Sequence, residues 1–283
     1  MRSPAGSQWV GLLLCCAALV TASCRGGTVR QQPEHKASFG EVPEVAWRSL
    51  AAKRIFFGHQ SVGDNVMEGV RDLVRAEPRL GLRIAEGADA LDGGAGVFAH
   101  GRIGRNGDPG LKTDEFARLI AGPLRGKVDV AFHKYCYADL LETTDVPAVF
   151  DHYQKTMARL RAECPEVVFV HVTTPLVRVQ SGPRALIKRL LGRSPGRYGG
   201  NFARERFNDL MRKTYAGREP LYDLAAVEST RPDGRREVIR SGGRSGYALV
   251  PAYTEDGSHL NETGRRRAAE ELLAVLAWLP ASK

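Results

Sequence analysis

The chain has 283 residues, 43% hydrophobic and 26% charged, enough to bury a sizeable core and to exclude a globally disordered protein. Its formal charge of +9 favours anionic surroundings. Most basic residues are interleaved with acids and no zinc-finger or other nucleic-acid motif occurs, so nucleic acid is set aside as a partner.

At the start, Arg2 precedes an apolar run from Trp9 to Val20, too short and too near the first residue for a membrane span, and Thr21-Ala22-Ser23 then leads to Cys24. This resembles a bacterial lipoprotein signal. The resemblance implies that residues 1–23 are removed and that a lipid on Cys24 anchors the chain to a bacterial membrane, facing the periplasm or the cell exterior. An ordinary secretory signal cut nearby is the alternative, and either one makes this an exported protein. Residues 24–44 are expected to form a flexible tether, and residues 45–283 one large domain.

Within that domain, Arg54-Ile55-Phe56-Phe57-Gly58 is a short apolar run, followed by Val62, Val66, Val70, Leu73 and Val74 at helical spacing. The pattern predicts strand, tight turn, helix. A second strand is expected at 82–85 and a Gly-rich loop at 87–110, after which Thr113 can cap a helix carrying Phe116, Leu119, Ile120 and Leu124. Further strands are expected at 128–132, 167–172 and 221–224, and helices at 146–162, 201–215 and 262–279. Nearly all-apolar strands alternating with helices predict an α/β fold, a three-layer α/β/α sandwich around a mostly parallel sheet of about five strands. Such sheets bind ligands at the C-terminal ends of their strands.

Two cysteines remain in the domain. Cys136 falls at the C-terminal end of one expected strand and Cys164 just before the start of the next, roughly a strand length of about 17–20 Å apart. That is beyond disulfide reach, so both are expected as free thiols.

At the functional sheet edge, Ser61 sits where the first strand turns into its helix, the natural place for a nucleophile. Asp256-Gly257-Ser258-His259 precedes the last helix and reaches the same edge, where an Asp three residues from a His can fix the imidazole tautomer that accepts a hydroxyl proton. Alone, that tetrapeptide is as well explained by turn and cap chemistry. Placed opposite Ser61, it completes a nucleophile, base and orienter.

These residues resemble the SGNH, or GDSL-like, hydrolase superfamily, in its bacterial branch with a His-x-Ser-Val-Gly turn, matched by His59 to Gly63. The resemblance covers roughly residues 53–279. It implies ester hydrolysis or acyl transfer through an acyl-serine, with Ser61 as nucleophile, His259 as general base and then acid, and Asp256 as orienter. It also implies no metal or organic cofactor, and no His pattern of metal-ligand spacing occurs.

Two departures stand out: Gln60 replaces the acid that usually precedes the Ser, and no Gly-x-Asn-Asp follows the third expected strand. The backbone N–H of Ser61 is one expected oxyanion donor; the others must come from elsewhere, and Gly104, Asn106, Gly107 and Lys134 are the candidates.

The expected substrate is an ester-bearing carbohydrate or lipid. The alternatives are a cell-envelope glycan O-acyltransferase and a non-catalytic envelope-binding protein on the same fold. His59 is expected to bond local backbone, His171 to be a satisfied core histidine, and Asp223 to cap the following loop. Residues 177–200 read as a basic insertion in which Arg178, Arg184, Lys188, Arg189, Arg193 and Arg197 surround a short amphipathic helix, a possible lid over anionic head groups or an acidic polymer.

Overall fold

The structure is a computed structural model that describes residues 38–179 and 198–279. The signal segment, Cys24, most of the expected tether and the basic stretch 180–197 lie outside the described residues.

Helix α1 (Glu44–Ala51) leads into strand β1 (Arg54–His59) and helix α2 (Val62–Ala76). Strands β2 (Arg83–Glu86) and β3 (Val97–Arg102) follow, then α3 (Pro109–Ala121), β4 (Val130–His133) and α4 (Val146–Glu163). The chain continues through two short strands, β5 (Val168–Phe169) and β6 (His171–Val172), to α5 (Tyr198–Tyr215), β7 (Leu221–Tyr222) and α6 (Leu224–Ser229). A hairpin of β8 (Val238–Ser241) and β9 (Arg244–Tyr247) precedes the last helix, α7 (Glu262–Ala277).

The main sheet has the order β2-β3-β1-β4-β5 and every pairing in it is parallel. Beyond Phe169 the chain shifts partners, and β6 pairs in parallel with β7. Alternation along the strands splits the core in two. Ile55, Phe57 and Phe132 pack with Val66, Val70, Ala268 and Leu272 of α2 and α7 on one face. Phe56, Ala131 and Phe169 pack with Phe116, Met157 and Phe207 of α3, α4 and α5 on the other. This is the three-layer α/β/α sandwich the sequence predicts, with both sheet faces covered. Helices α2 and α7 approach closely at Gly69, where an added Cβ would lie 2.4 Å from the Arg265 carbonyl oxygen.

Three expectations need correction. The long loop at 87–110 contains β3, which pairs with both β1 and β2. The helix after that loop is capped by Asp108, whose side chain accepts from the Leu111 N–H, with Pro109 in its first turn, so Thr113 is not its cap. The strand expected at 167–172 breaks at Val170, where its pairing passes from β4 to β7. Cys136 and Cys164 are free and buried, as expected.

Candidate active site

The site is built on the turn between β1 and α2. Ser61 is the N-cap of α2, with φ 23° and ψ −81°. It is the only non-glycine residue with positive φ among the described residues. A serine held off its favoured backbone regions costs about 1–3 kcal/mol, and such strain gathers where function needs it. The turn is closed by the Ser61 carbonyl, which accepts from the N–H groups of Asp64 at 2.8 Å and Asn65 at 3.3 Å. The Ser61 hydroxyl lies 3.6 Å from Cys136 Sγ, beyond the end of β4.

The loop before α7 arrives at the same place. Asp256 Oδ2 lies 2.6 Å from His259 Nδ1, and Oδ1 accepts from the N–H groups of Ser258 and His259 at 2.7 and 2.8 Å. Partial burial would raise the Asp256 pKa, but the bonds from His259 and these backbone donors outweigh it and hold the carboxyl below its ordinary range. With the carboxylate ionised, His259 carries its proton on Nδ1, which leaves Nε2 as the proton acceptor.

Two contacts fix this loop against the serine turn. The Leu260 N–H donates to Asn65 Oδ1 at 3.2 Å, one helical turn from Ser61. The His259 ring meets the Tyr137 ring edge-on at 5.8 Å, next in sequence to the cysteine beside the Ser61 hydroxyl. These contacts set the loop that carries Asp256 and His259 against the serine turn at the C-terminal edge of the sheet, while the hydrogen-bond contact of the Ser61 hydroxyl among the described residues is with Cys136.

Gln60 also finds a use. Its amide donates to the carbonyls of Ile103 and Gly104 at 3.0 and 2.9 Å, pinning the loop after β3 beside the serine turn. In that loop the candidate oxyanion donors separate. The Gly104 N–H donates to Glu115 at 2.6 Å and the Gly107 N–H to Asp139 Oδ1 at 2.7 Å. Both N–H groups are occupied by carboxylates, which takes the two glycines out of that role. Asn106 remains: its side chain is exposed, and its Oδ1 accepts from Lys112 Nζ at 3.0 Å. A Lys only donates, so the contact sets the amide's orientation and leaves Nδ2 as a free donor. Lys134 is 1% exposed and its Nζ reaches the Tyr135 carbonyl at 3.3 Å, so it does not offer its ammonium to an open cleft. Burial lowers its pKa.

Burial lowers the pKa of each of the buried histidines His59, His100, His133 and His171. Arg71 donates to His100 Nε2 at 2.7 Å, so the His100 proton sits on Nδ1 and is donated to His59 Nε2 at 2.9 Å. His59 therefore bonds another strand's histidine rather than local backbone. Burial, then the charge of Lys134, pulls its pKa down to about 2. His133 is buried with no hydrogen-bond partner for either ring nitrogen among the described residues, and burial pulls it down to about 3. His171 is a satisfied core histidine, bonded to the Tyr153 hydroxyl at 2.7 Å and Glu219 at 3.0 Å. Asp223 caps α6 by accepting from the Ala226 N–H and also holds Arg212.

No family model and no curated protein matches the sequence. Among solved structures the chain is similar to a lipase/acylhydrolase from Enterococcus faecalis, at 15% identity over 78% of this chain and 93% of that one, with a TM-score of 0.42. It is similar to acetyl xylan esterase AlAXEase at 17% identity over 78% of this chain and 97% of that one, TM-score 0.42. It is also similar to phospholipase A1 from Streptomyces albidoflavus NA297, at 16% identity over 80% and 98%, TM-score 0.40. At such identities the chemistry has to be read from this chain's own side chains.

Proposed function

We propose that this chain is an exported serine ester hydrolase that forms an acyl-serine on Ser61. The observation that carries the reading is the 2.6 Å Asp256–His259 pair, tied through Leu260 and Asn65 to the helix turn that presents Ser61. The SGNH-like resemblance of the sequence agrees with it.

In the first step His259 Nε2 takes the Ser61 hydroxyl proton while Oγ bonds the ester carbon and the carbonyl π pair moves to oxygen. Collapse of that oxyanion expels the alkoxide, which takes the proton back from His259. Water then repeats the sequence and releases the acid. Asp256 holds the tautomer and stabilises the imidazolium, and the Asn106 amide donates to the oxyanion. The substrate is an ester-bearing carbohydrate or lipid. Export and anchoring rest on Arg2, the apolar run from Trp9 to Val20 and Cys24, and the chain then works at a bacterial membrane facing the periplasm or the exterior.

The test is a serine-directed phosphonate with intact-mass readout on wild type and Ser61→Ala. One adduct on wild type and none on the variant is expected, together with turnover of a short-chain aryl ester. An absence of labelling and turnover from pH 6 to 9 would overturn this reading and favour a binding protein.

A further inference from the structure

Lys112 and Asp139 form a fully buried ion pair at 2.5 Å, directly behind the two loops that flank Ser61. Buried ion pairs are poor stabilisers, because removing two charges from water costs about as much as their attraction returns. What they do well is fix geometry, and each atom of this pair is used. Asp139 Oδ1 accepts from the Gly107 N–H at 2.7 Å, and Oδ2 accepts from the Cys136 N–H at 2.6 Å as well as from Lys112. The carboxylate therefore ties the loop after β3 to the loop after β4. Lys112 spends a second donor on Asn106 Oδ1 at 3.0 Å. Cys136, held by its backbone, touches the Ser61 hydroxyl through its thiol.

Building on the esterase reading above, we propose that Lys112 and Asp139 are positioning residues for the oxyanion site. Lys112 holds the Asn106 amide with its NH2 outward, and Asp139 keeps that amide's loop at a fixed offset from Cys136 and Ser61. Without Lys112 the amide is free to turn over, and in half of its orientations an oxygen replaces the donor. An oxygen facing a developing oxyanion repels it.

The experiment is a double-mutant cycle in kcat and KM for a short-chain aryl ester, on wild type, Asn106→Ala, Lys112→Met and the double variant. Asn106→Ala is expected to lower kcat about 10²–10³-fold with KM nearly unchanged, the cost of one oxyanion donor. Lys112→Met is expected to lower kcat about 10-fold or more, and the double variant to be no worse than Asn106→Ala alone, because both changes remove one interaction. Losses that multiply, or an Asn106→Ala enzyme as active as wild type, would overturn the proposal.

Where Lys112→Met does not fold, a measurement on wild type decides. The Asn106 side-chain amide protons, assigned by 15N NMR against Asn106→Ala, are expected to move downfield when Ser61 is phosphonylated. A signal that stays in place refutes the assignment. A wild type that neither turns over ester nor takes the phosphonate defeats the esterase reading and this inference with it. An active wild type indifferent to Asn106 defeats this inference alone.

Discussion

Replacing Asp256 by Asn changes a single atom type and should be more damaging than replacing it by Ala. The Oδ1 of Asp256 accepts two backbone N–H groups, from Ser258 and His259, while Oδ2 faces His259 Nδ1 at 2.6 Å. An Asn keeps its carbonyl oxygen on those backbone donors, since the flipped amide would set an NH2 against two N–H groups. The NH2 then points at Nδ1, and the imidazole must move its proton to Nε2 to accept that bond. Nε2 is the atom that should accept the Ser61 proton.

Forcing the useful tautomer back leaves donors facing each other, worth about 2–3 kcal/mol. Loss of the carboxylate's attraction for the imidazolium adds about 1–2 kcal/mol for a pair as exposed as this one. The sum of about 3–5 kcal/mol corresponds to a fall in kcat of roughly 10²–10⁴. Asp256→Ala pays only the second cost, because water can accept from Nδ1, and should lose about 5–30-fold. The assay is kcat/KM for an aryl acetate at pH 7, with phosphonylation rates as a check independent of the leaving group. An Asn variant within tenfold of wild type, or one faster than the Ala variant, would refute the tautomer argument.

Two further outcomes are expected. Burial, opposed by the Leu176 N–H and by Lys134, pushes the Glu228 carboxyl up to about 8. Its folded pKa exceeds its unfolded value of about 4.3, so the native state binds the extra proton and this group's stabilisation is full below that value and lost as pH rises through 8. Glu228→Gln should flatten the decline in melting temperature between pH 5 and 8, and an unchanged slope would show that another group titrates. Gly63→Ala would place a Cβ 2.3 Å from His59 Cβ and Cγ, with His59 fixed by His100. It should cost about 1–3 kcal/mol in urea unfolding and slow Ser61 phosphonylation, because the clash sits in the nucleophile's own helical turn. Wild-type stability would mean that the His59 ring can move aside.

The sequence makes the helices and the two ends of the site readable for a simple reason. Their signals are local: apolar residues at helical spacing, a Ser after a strand, Asp and His three residues apart. Strand β3 is hidden because Val97-Phe98-Ala99-His100-Gly101-Arg102 has a His and a Gly in a Gly-rich neighbourhood. His100 is tolerable in a buried strand only because His59 and Arg71 meet it from other elements. The β8–β9 hairpin carries a local signal after all, two short runs joined by Gly242-Gly243, a pair suited to a two-residue hairpin turn. The cap at Asp108-Pro109 is likewise local and stronger than the one at Thr113. Lys112, Asp139, Asn65 and the occupied glycines of the oxyanion loop are different. Each depends on at least one partner 11 to 195 residues away, and no local motif specifies that pairing.

The tight contact of α2 with α7, at Gly69 against Arg265, bears on how the protein is made. The ribosome completes the nucleophile's helix early and the base's loop some two hundred residues later. On the proposed esterase reading, Ser61 has no base until α7 docks, so a nascent or truncated chain should be inert toward esters and hydrolytic activity should report closure of the whole domain. Reappearance of activity during refolding should therefore track docking of the last helix, rather than formation of the sheet.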